Sequence, residues 1–229
     1  MPPHPRAAVV VLAAGSGTRV GAGANKVLLP LLGRPVLGWS LATVATLPAV
    51  DRVVVVHRPE DLEQVRAAVA ASGVRADLVA GGDTRHDSEW AALRLLADDV
   101  DAGRIDVVAV HDSARPLADA TLFGAVLHYA ASYGGAIPVR AQPGLLPRDG
   151  GAPRADLVGV QTPQAFAAAP LLAAYRRAET DGFTGTDTAS CLEAYTDVAI
   201  HGVPAPATNL KITFPEDVAL AAALLAPGG

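Results

Sequence analysis

The residues best suited to chemistry follow the first apolar run of the chain, where small residues precede two cations. They read Ala13-Ala14-Gly15-Ser16-Gly17-Thr18-Arg19, and Lys26 follows after further glycines. Small side chains let backbone N–H groups approach a ligand closely, and such groups bind anions. The pattern predicts a site for a phosphate chain, with Arg19 and Lys26 supplying positive charge. A tight glycine turn beside two surface cations is the alternative interpretation.

This segment differs from two well-known phosphate-binding loops. A P-loop needs G-x-x-x-x-G-K-[ST], which the sequence lacks. A dinucleotide-binding loop needs G-x-G-x-x-G/A, but Val20 fills the sixth position of that pattern when Gly15 is counted as the first. In a dinucleotide-binding fold an acidic residue after the second strand holds the adenosine ribose, but here His57 follows the next run, Val53–Val56. Glycines and prolines continue to about Val36, so we expect a long loop to wrap the ligand. These features argue against a nicotinamide-dependent oxidoreductase.

A carboxylate ends another apolar run. Asp112 follows Val107–Val110, so it is expected at the carboxyl end of a buried strand, beside the phosphate loop. One carboxylate together with ligand phosphates is a normal way to hold Mg²⁺, which keeps several waters. Arg115 could donate two hydrogen bonds to a phosphate. Asp112 could instead be a turn residue, and we interpret His111 as a structural, hydrogen-bonded histidine.

A lysine interrupts an apolar run near the C-terminus. Lys211 stands between Leu210 and Ile212, so in a strand its side chain points to the opposite face from both. It could be a solvent-facing edge residue or a third cation of the site, and the spacing leaves both open.

The intervening segments alternate between β and α patterns. Runs without polar alternation predict strands buried on both faces, at Ala8–Leu12, Val53–Val56, Leu78–Ala80, Ile105–Val110 and Ala136–Val139. Apolar residues at helical spacing predict helices around Leu37, Leu41 and Val44, around Leu62, Val65 and Val69, and around Leu122, Ala125, Val126 and Tyr129. We predict an α/β fold with a doubly wound, mostly parallel Rossmann-like sheet in a single domain, residues 1–229.

Helix caps and one irregular segment complete this prediction. Asp119 and either Asp87 or Ser88 are expected N-caps. Thr213 and Glu216 have the spacing of a capping box before a final helix. Residues 140–158 begin with prolines and glycines, which predict an arm or loop that leaves the sheet.

Composition limits the class of protein. The 229 residues carry a net charge of −5, which makes nucleic acid a poor partner. No apolar stretch approaches the roughly 20 residues needed to cross a bilayer. The apolar run from Ala7 to Ala14 is interpreted as a strand and not as a signal peptide. The single cysteine, Cys191, excludes an internal disulfide and favours the cytoplasm.

Six blocks of the sequence resemble the cytidylyltransferases of sugar-alcohol phosphates, above all the 2-C-methyl-D-erythritol 4-phosphate cytidylyltransferase family of the non-mevalonate isoprenoid pathway. The resemblance extends from Ala8 to Leu225. The blocks, in that family's order, are Ala13 to Arg19, Gly81 to Ser88, His111 to Arg115, Gln161 to Phe166, Thr186 to Ser190 and Asn209 to Thr213. Six blocks in one order are far more specific than any one of them.

The resemblance implies an activity, a fold and a set of roles. CTP would donate CMP to an acceptor phosphate, on a sheet of the nucleotide-diphospho-sugar transferase type with a protruding arm. The triphosphate would be bound by Ala13, Ala14, Gly15, Ser16 and Gly17, and the charge that develops in the reaction would be stabilised by Arg19, Lys26 and Lys211. Mg²⁺ would be held by Asp112. The base and ribose would be contacted by Gly82, Asp83 and Ser88, and the acceptor by Arg115, Arg154 and Thr162. The arm of that family crosses to a second subunit, which implies a homodimer.

Departures from the family pattern leave alternatives open. Ala141-Gln142-Pro143-Gly144 stands where the family has D-T-[IM]-K in its arm, and Asn25 and Val27 flank Lys26 in place of Pro and Gln. The acceptor could therefore be ribitol 5-phosphate or another polyol phosphate. A catalytically inactive homologue that binds nucleotide is a further alternative.

Overall fold

Residues 5–15, 25–142, 145 and 157–226 are described by the structure, a computed structural model. These residues form an eight-stranded mixed sheet and a small two-stranded hairpin. The strands are β1 (Ala7–Leu12), β2 (Pro30–Leu31), β3 (Arg34–Pro35), β4 (Val50–His57), β5 (Asp77–Ala80), β6 (Val107–Asp112), β7 (Gly135–Ala141), β8 (Val158–Val160), β9 (Gln164–Ala167) and β10 (Ile200–Pro204). The main sheet has the order β10-β7-β9-β6-β1-β4-β5, and β8 also pairs with β7.

The helices lie between these strands and after the last of them. They are α1 (Val36–Val44), α2 (Leu62–Ser72), α3 (Arg85–Asp101), α4 (Ala120–Tyr133), α5 (Ala168–Asp181), α6 (Thr188–Tyr195) and α7 (Pro215–Leu225), with short 3-10 helices at Lys26–Leu28 and Pro59–Asp61. None of these described helices combines the length and the apolar character needed to cross a membrane.

The central strands bring the ends of β1 and β6 together. β1 pairs in parallel with β4 on one side and β6 on the other, and Leu12 is in register with both Val56 and Asp112. Parallel strands finish at the same edge of a sheet, where ligands of such folds bind. The segment that follows β1 therefore begins beside Asp112.

Apolar layers cover both faces of the sheet. Val9 and Val11 of β1 belong to a core that includes residues of α1, α2 and α4, whereas Ala8 and Val10 belong to a core with residues of α3, α5 and α6. Successive strand residues point to opposite faces, so a strand buried on both sides needs an unbroken apolar run. The predicted doubly wound α/β sheet is confirmed.

The five predicted strands are present as β1, β4, β5, β6 and β7, with slightly different ends. The strands β8, β9 and β10 of the same sheet were not predicted. The first two have only three and four residues, which is too short to show a period, and β10 contains His201, Gly202 and Pro204, which interrupt an apolar run.

One predicted helix cap is confirmed and another is wrong. Asp119 is the N-cap of α4, and its side chain accepts a hydrogen bond from Leu122 N at 2.7 Å. The cap expected at Asp87 or Ser88 is wrong, because α3 already begins at Arg85 and Thr84 is its N-cap. Thr84 Oγ1 accepts from Asp87 N at 3.1 Å, and Asp87 Oδ2 accepts from Thr84 N at 3.0 Å. Asp87 is thus the third residue of a capping box and not the cap itself.

The start of α7 also differs from the prediction. Pro215 lies in the first turn, where its missing N–H costs no helical hydrogen bond. Asp217, and not Glu216, accepts hydrogen bonds from the backbone N–H groups of Thr213 (2.7 Å) and Phe214 (2.8 Å). The Thr213 hydroxyl instead donates to the carbonyl of Lys211.

Most of the segment 140–158 lies outside the described residues. Its two described ends form an antiparallel ladder, in which Arg140 pairs with Gly159 and Ala141 pairs with Val158. The described ends of the segment therefore lie side by side, and the predicted arm between them stays a prediction.

Candidate functional site

A cavity of about 410 Å³ opens at the carboxyl ends of the central strands. This volume is usual for a small-molecule site. Of the residues given a role by sequence, those lining it are Ala14, Gly15, Lys26, Gly82, Asp83, Ser88, Asp112 and Lys211. Four separate segments of the sequence thus meet at one site.

The segment after β1 forms one wall of the cavity. Ala13 is wholly buried, and its N–H donates to Val56 O at 2.8 Å, so it anchors the start of the loop. Ala14 and Gly15 line the cavity. Ser16, Gly17 and Arg19 lie outside the described residues, and their predicted roles stay predictions.

Asn25 ties the far end of this loop to its beginning. Its side chain is almost fully buried, and its Nδ2 donates to Ala13 O at 2.6 Å and to Asp61 Oδ2 at 2.8 Å. Arg58 in turn donates to the Asp61 carboxylate. This arrangement places Lys26, which begins a 3-10 helix, in the cavity wall. Asn25 therefore gives a structural reason for the departure from the family's usual flanking proline.

The N-terminus of α3 forms the opposite wall, with Gly82, Asp83 and Ser88 in the lining. A Cβ atom on Gly82 would lie 2.4 Å from Asp87 Cβ, so only glycine fits beside this helix turn. The first turn of a helix carries unpaired N–H groups and the positive end of its dipole, both of which favour an anion. A 17-residue helix thus points its positive end into the cavity.

Asp112 lies in the cavity wall between two cations. Arg85 Nη1 donates to Asp112 Oδ1 at 2.5 Å, and Lys211 Nζ donates to Asp112 Oδ2 at 2.6 Å. Burial alone would raise the pKa of Asp112, but the charges of Arg85 and Lys211 outweigh it and hold that pKa well below its usual range. The carboxylate is therefore ionised at neutral pH.

Lys211 is a cation of the cavity and not a surface residue of an edge. Its neighbour Ile212 is wholly buried in a cluster with Leu31 and Val36, and Ile212 N donates to Ala114 O at 2.8 Å. Because adjacent residues of an extended chain point to opposite sides, Lys211 is turned towards Asp112.

His111 is structural, as its interpretation from the sequence proposed. It is wholly buried, its Nε2 lies 3.2 Å from Ser40 Oγ, and its Nδ1 lies 3.3 Å from Thr162 Oγ1. Burial lowers the pKa of His111 to about 4, so the ring is neutral near pH 7.

The predicted acceptor contacts lie elsewhere. Thr162 is buried, and its Oγ1 accepts a hydrogen bond from Asp112 N at 3.0 Å. Arg115 Nη1 donates to the carbonyl of Asn209 at 2.8 Å. The described lining of the cavity includes neither residue. Arg154 lies outside the described residues.

Three polar residues of the lining received no ligand-binding role from the sequence: Thr84, Arg85 and Thr213. All of them stand inside the quoted blocks: Thr84 and Arg85 lie between Asp83 and Ser88, and Thr213 ends the last block. Arg85 could have been noticed as the arginine of the block Gly81 to Ser88, but the cap expected at Asp87 or Ser88 left it outside the predicted helix. Its two carboxylate partners, Glu89 and Asp112, were therefore not recognised from the sequence.

The residues present are compatible with Mg²⁺ in one specific way. Within residues 5–15, 25–142, 145 and 157–226, no three His, Cys, Asp or Glu side chains are grouped as a metal site. Asp112 is ionised and faces the cavity, so it could supply one oxygen ligand. Mg²⁺ is commonly held by one or two carboxylates and the phosphates of a substrate. The donor set therefore fits a metal that enters with a phosphorylated ligand.

Known proteins match this chain over nearly its whole length. The family model described as 2-C-methyl-D-erythritol 4-phosphate cytidylyltransferase matches residues 7–227. The protein of that name from Symbiobacterium thermophilum is 40% identical over 224 residues, covering 95% of this chain and 92% of the relative. The one from Solibacter usitatus is 38% identical over 242 residues, covering 94% of each.

Solved structures agree with these sequence matches. The 4-diphosphocytidyl-2C-methyl-D-erythritol synthase of Anaerococcus prevotii superposes with a TM-score of 0.81 at 26% identity, covering 97% of this chain and 96% of that one. The 2-C-methyl-D-erythritol 4-phosphate cytidylyltransferase of Thermus thermophilus gives 0.70 at 29% identity, covering 94% and 96%. The cavity at the strand ends, the six blocks and these matches have one explanation: this chain belongs to the 2-C-methyl-D-erythritol 4-phosphate cytidylyltransferase family.

Proposed function

We propose that this enzyme transfers CMP from CTP to 2-C-methyl-D-erythritol 4-phosphate, with release of pyrophosphate, in the synthesis of isoprenoid precursors. The observation that carries the proposal is the cavity itself. Lys26, Arg85, Lys211 and the N-terminus of α3 bring positive charge to its lining, and the carboxylates of Asp112 and Asp83 lie in the same lining. This is the environment that a triphosphate and a metal ion require. Family membership supports the same substrates.

The chemistry needs charge and position more than a general base. The phosphate monoester of the acceptor has a second pKa of about 6, so it is largely ionised near pH 7. One of its oxygens attacks the α-phosphorus of CTP, and the bond to the bridging oxygen of pyrophosphate breaks in line. Two anions must approach each other, and fixed cations relieve that repulsion.

The described residues divide these tasks. Lys26 and Lys211 lie on the cavity wall and would bind phosphate oxygens, while Gly82 and Ser88 line the other side, where base and ribose are expected. His111 is buried and neutral, so it takes no proton from the acceptor. Mg²⁺, held by Asp112 and ligand phosphates, would supply further charge neutralisation at the transferred group.

The identity of the acceptor is the finer part of the proposal. Family members are named for methylerythritol phosphate, and this supports it over ribitol 5-phosphate, the alternative suggested by Ala141-Gln142-Pro143-Gly144.

Pairing of two chains through residues 140–158 stays a prediction. Val158 and Val160, at the described base of that segment, are half exposed and offer apolar surface for it. The cytoplasmic location also stays a prediction.

Pyrophosphate release with CTP and Mg²⁺ tests the proposal, run with methylerythritol phosphate, with ribitol 5-phosphate and without acceptor. We expect release with methylerythritol phosphate, and loss of at least about 100-fold in Lys26→Ala, because a cation that contacts the transferred phosphate is removed. Arg66→Ala, at an exposed surface pair with Glu63, is the matched control and should keep full activity.

The other outcomes are equally informative. Pyrophosphate release with ribitol 5-phosphate alone would mean that the proposed acceptor is wrong and that the proposed CMP transfer is right. Binding of CTP without release for either acceptor would instead identify an inactive, nucleotide-binding homologue.

A further inference from the structure

A second buried carboxylate, Glu89, takes no part in the steps above. It lies on α3, one turn after Arg85, and is only 1% exposed. It accepts hydrogen bonds from Arg85 Nε at 2.8 Å, from Thr188 Oγ1 at 3.0 Å and from the Tyr175 hydroxyl. Burying a charged group is costly, and an apolar side chain of similar volume is often as stable there. The carboxylate therefore calls for a reason beyond packing.

Arg85 connects this carboxylate to the cavity. Its Nε faces Glu89 while its Nη1 faces Asp112, so one planar guanidinium joins the interior between α3 and α5 to the end of β6. Its third nitrogen, Nη2, is buried and has no hydrogen-bond acceptor among the described residues. A buried unpaired donor is unfavourable, and an anionic oxygen of a ligand would satisfy it.

Asp112 already shares its negative charge between two cations. Its Oδ1 accepts from Arg85 and its Oδ2 accepts from Lys211. A metal ion on the same carboxylate would weaken both ion pairs, and phosphate oxygens of a ligand could replace Asp112 as the anion for these cations. Arg85 keeps an anchor in this exchange, because its bond to Glu89 lies on the side away from Asp112.

We propose that Arg85 is a further phosphate-binding cation of the cavity, and that Glu89 is the positioning residue that keeps its guanidinium at the cavity wall. The proposal rests on the proposed function, since the phosphates are those of the nucleotide. The competing explanation is purely structural: Glu89 joins α3 to α5 and α6 through Tyr175 and Thr188, and Arg85 only balances its charge.

Four variants separate these explanations: Glu89→Gln, Tyr175→Phe, Arg85→Met and the double variant Glu89→Gln/Arg85→Met. Tyr175→Phe is the matched control, because it removes a hydrogen bond from the same carboxylate without touching Arg85. Two readouts are needed. One is the affinity for CTP by calorimetry in EDTA, which needs neither metal nor turnover. The other is kcat and KM for CTP in the pyrophosphate assay.

We expect Glu89→Gln to weaken CTP binding about 10-fold and to raise KM by a similar factor, because a charge-assisted anchor of Arg85 is lost. Tyr175→Phe should stay within about twofold of the wild type. Arg85→Met should bind at least as weakly as Glu89→Gln, and the double variant no more weakly than Arg85→Met, because one residue acts through the other. Where Arg85→Met does not fold, Arg85→Lys keeps the charge but cannot bridge both carboxylates.

Equal CTP affinities for Glu89→Gln and Tyr175→Phe would overturn the proposal and leave Glu89 a structural residue. So would effects of Glu89→Gln and Arg85→Met that multiply in the double variant. A wild-type protein that neither binds CTP nor releases pyrophosphate would overturn the proposed function, and this inference with it. An active wild type with unaffected variants would overturn the inference alone.

Discussion

Asp112 and Glu89 are both buried, both contact Arg85, and yet have pKa values shifted in opposite directions. Asp112 ends β6 at the cavity, with Lys211 as a second cation, and its pKa is lowered. Glu89 lies in the interior, where the hydroxyls of Tyr175 and Thr188 complete its hydrogen bonds. Burial raises the pKa of Glu89, and Arg85 with the two hydroxyls offsets this only in part.

The difference lies in the number of full charges around each carboxylate. Burial disfavours the ionised form at both sites, and one guanidinium is shared between them. A second cation tips the balance at Asp112, whereas neutral hydroxyls do not at Glu89. Asp112, at the cavity, is therefore ionised, whereas the ionisation of Glu89, in the interior, depends on Arg85.

The largest effect is expected from neutralising the cavity carboxylate. Asp112→Asn keeps the size of the side chain but removes the charge proposed to hold Mg²⁺, so pyrophosphate release should fall at least about 100-fold. The protein should still fold, because Arg85 still has the carboxylate of Glu89 as its ion-pair partner. Asp106→Asn, at an exposed pair with Arg6, is the control and should stay within about twofold. Full activity in Asp112→Asn would remove this carboxylate from the mechanism.

Removing Arg85, the cation shared by the two carboxylates, should destabilise the fold because Glu89 loses its charged partner. Arg85→Met leaves Glu89 buried with hydroxyl partners alone, so the free energy of unfolding at neutral pH should fall by about 3 kcal/mol. Arg176→Met breaks an exposed pair with Asp101 and should cost less than about 1 kcal/mol. Urea unfolding measures both. Equal losses would mean that Arg85 does not compensate a buried charge.

The smallest effect is a pH dependence. The pKa of Glu89 is raised by folding, so its contribution to stability is fully present below the unfolded value of about 4.5 and is lost as pH rises through the folded value. Relative to the wild type, Glu89→Gln should therefore become more stable as pH increases from 4 to 8. The ionisable groups interacting with Glu89 are Arg85, Tyr175 and Cys191. A stability difference independent of pH would contradict the assignment.

Local patterns were enough to predict much of this molecule. Valine-rich runs without polar alternation correctly indicated strands covered on both faces, and Asp112 was correctly placed at a strand end. Asp119 was a correct cap because its signal is local. Thr84 was missed because Asp87-Ser88 offered a competing local signal, and only the backbone shows which turn is the first.

The sequence by itself determined the doubly wound sheet, the position of Asp112 at a strand end and the family, because these depend on short-range patterns and on blocks in a fixed order. The tertiary structure alone decided that Lys211 faces Asp112, that Thr162 and His111 support that strand end from behind, and that Arg85 links two carboxylates. Apart from the Arg85–Glu89 pair within one helix, these contacts join residues 27 to 99 positions apart, whose distances follow from sheet order and helix packing and have no signature in the local sequence.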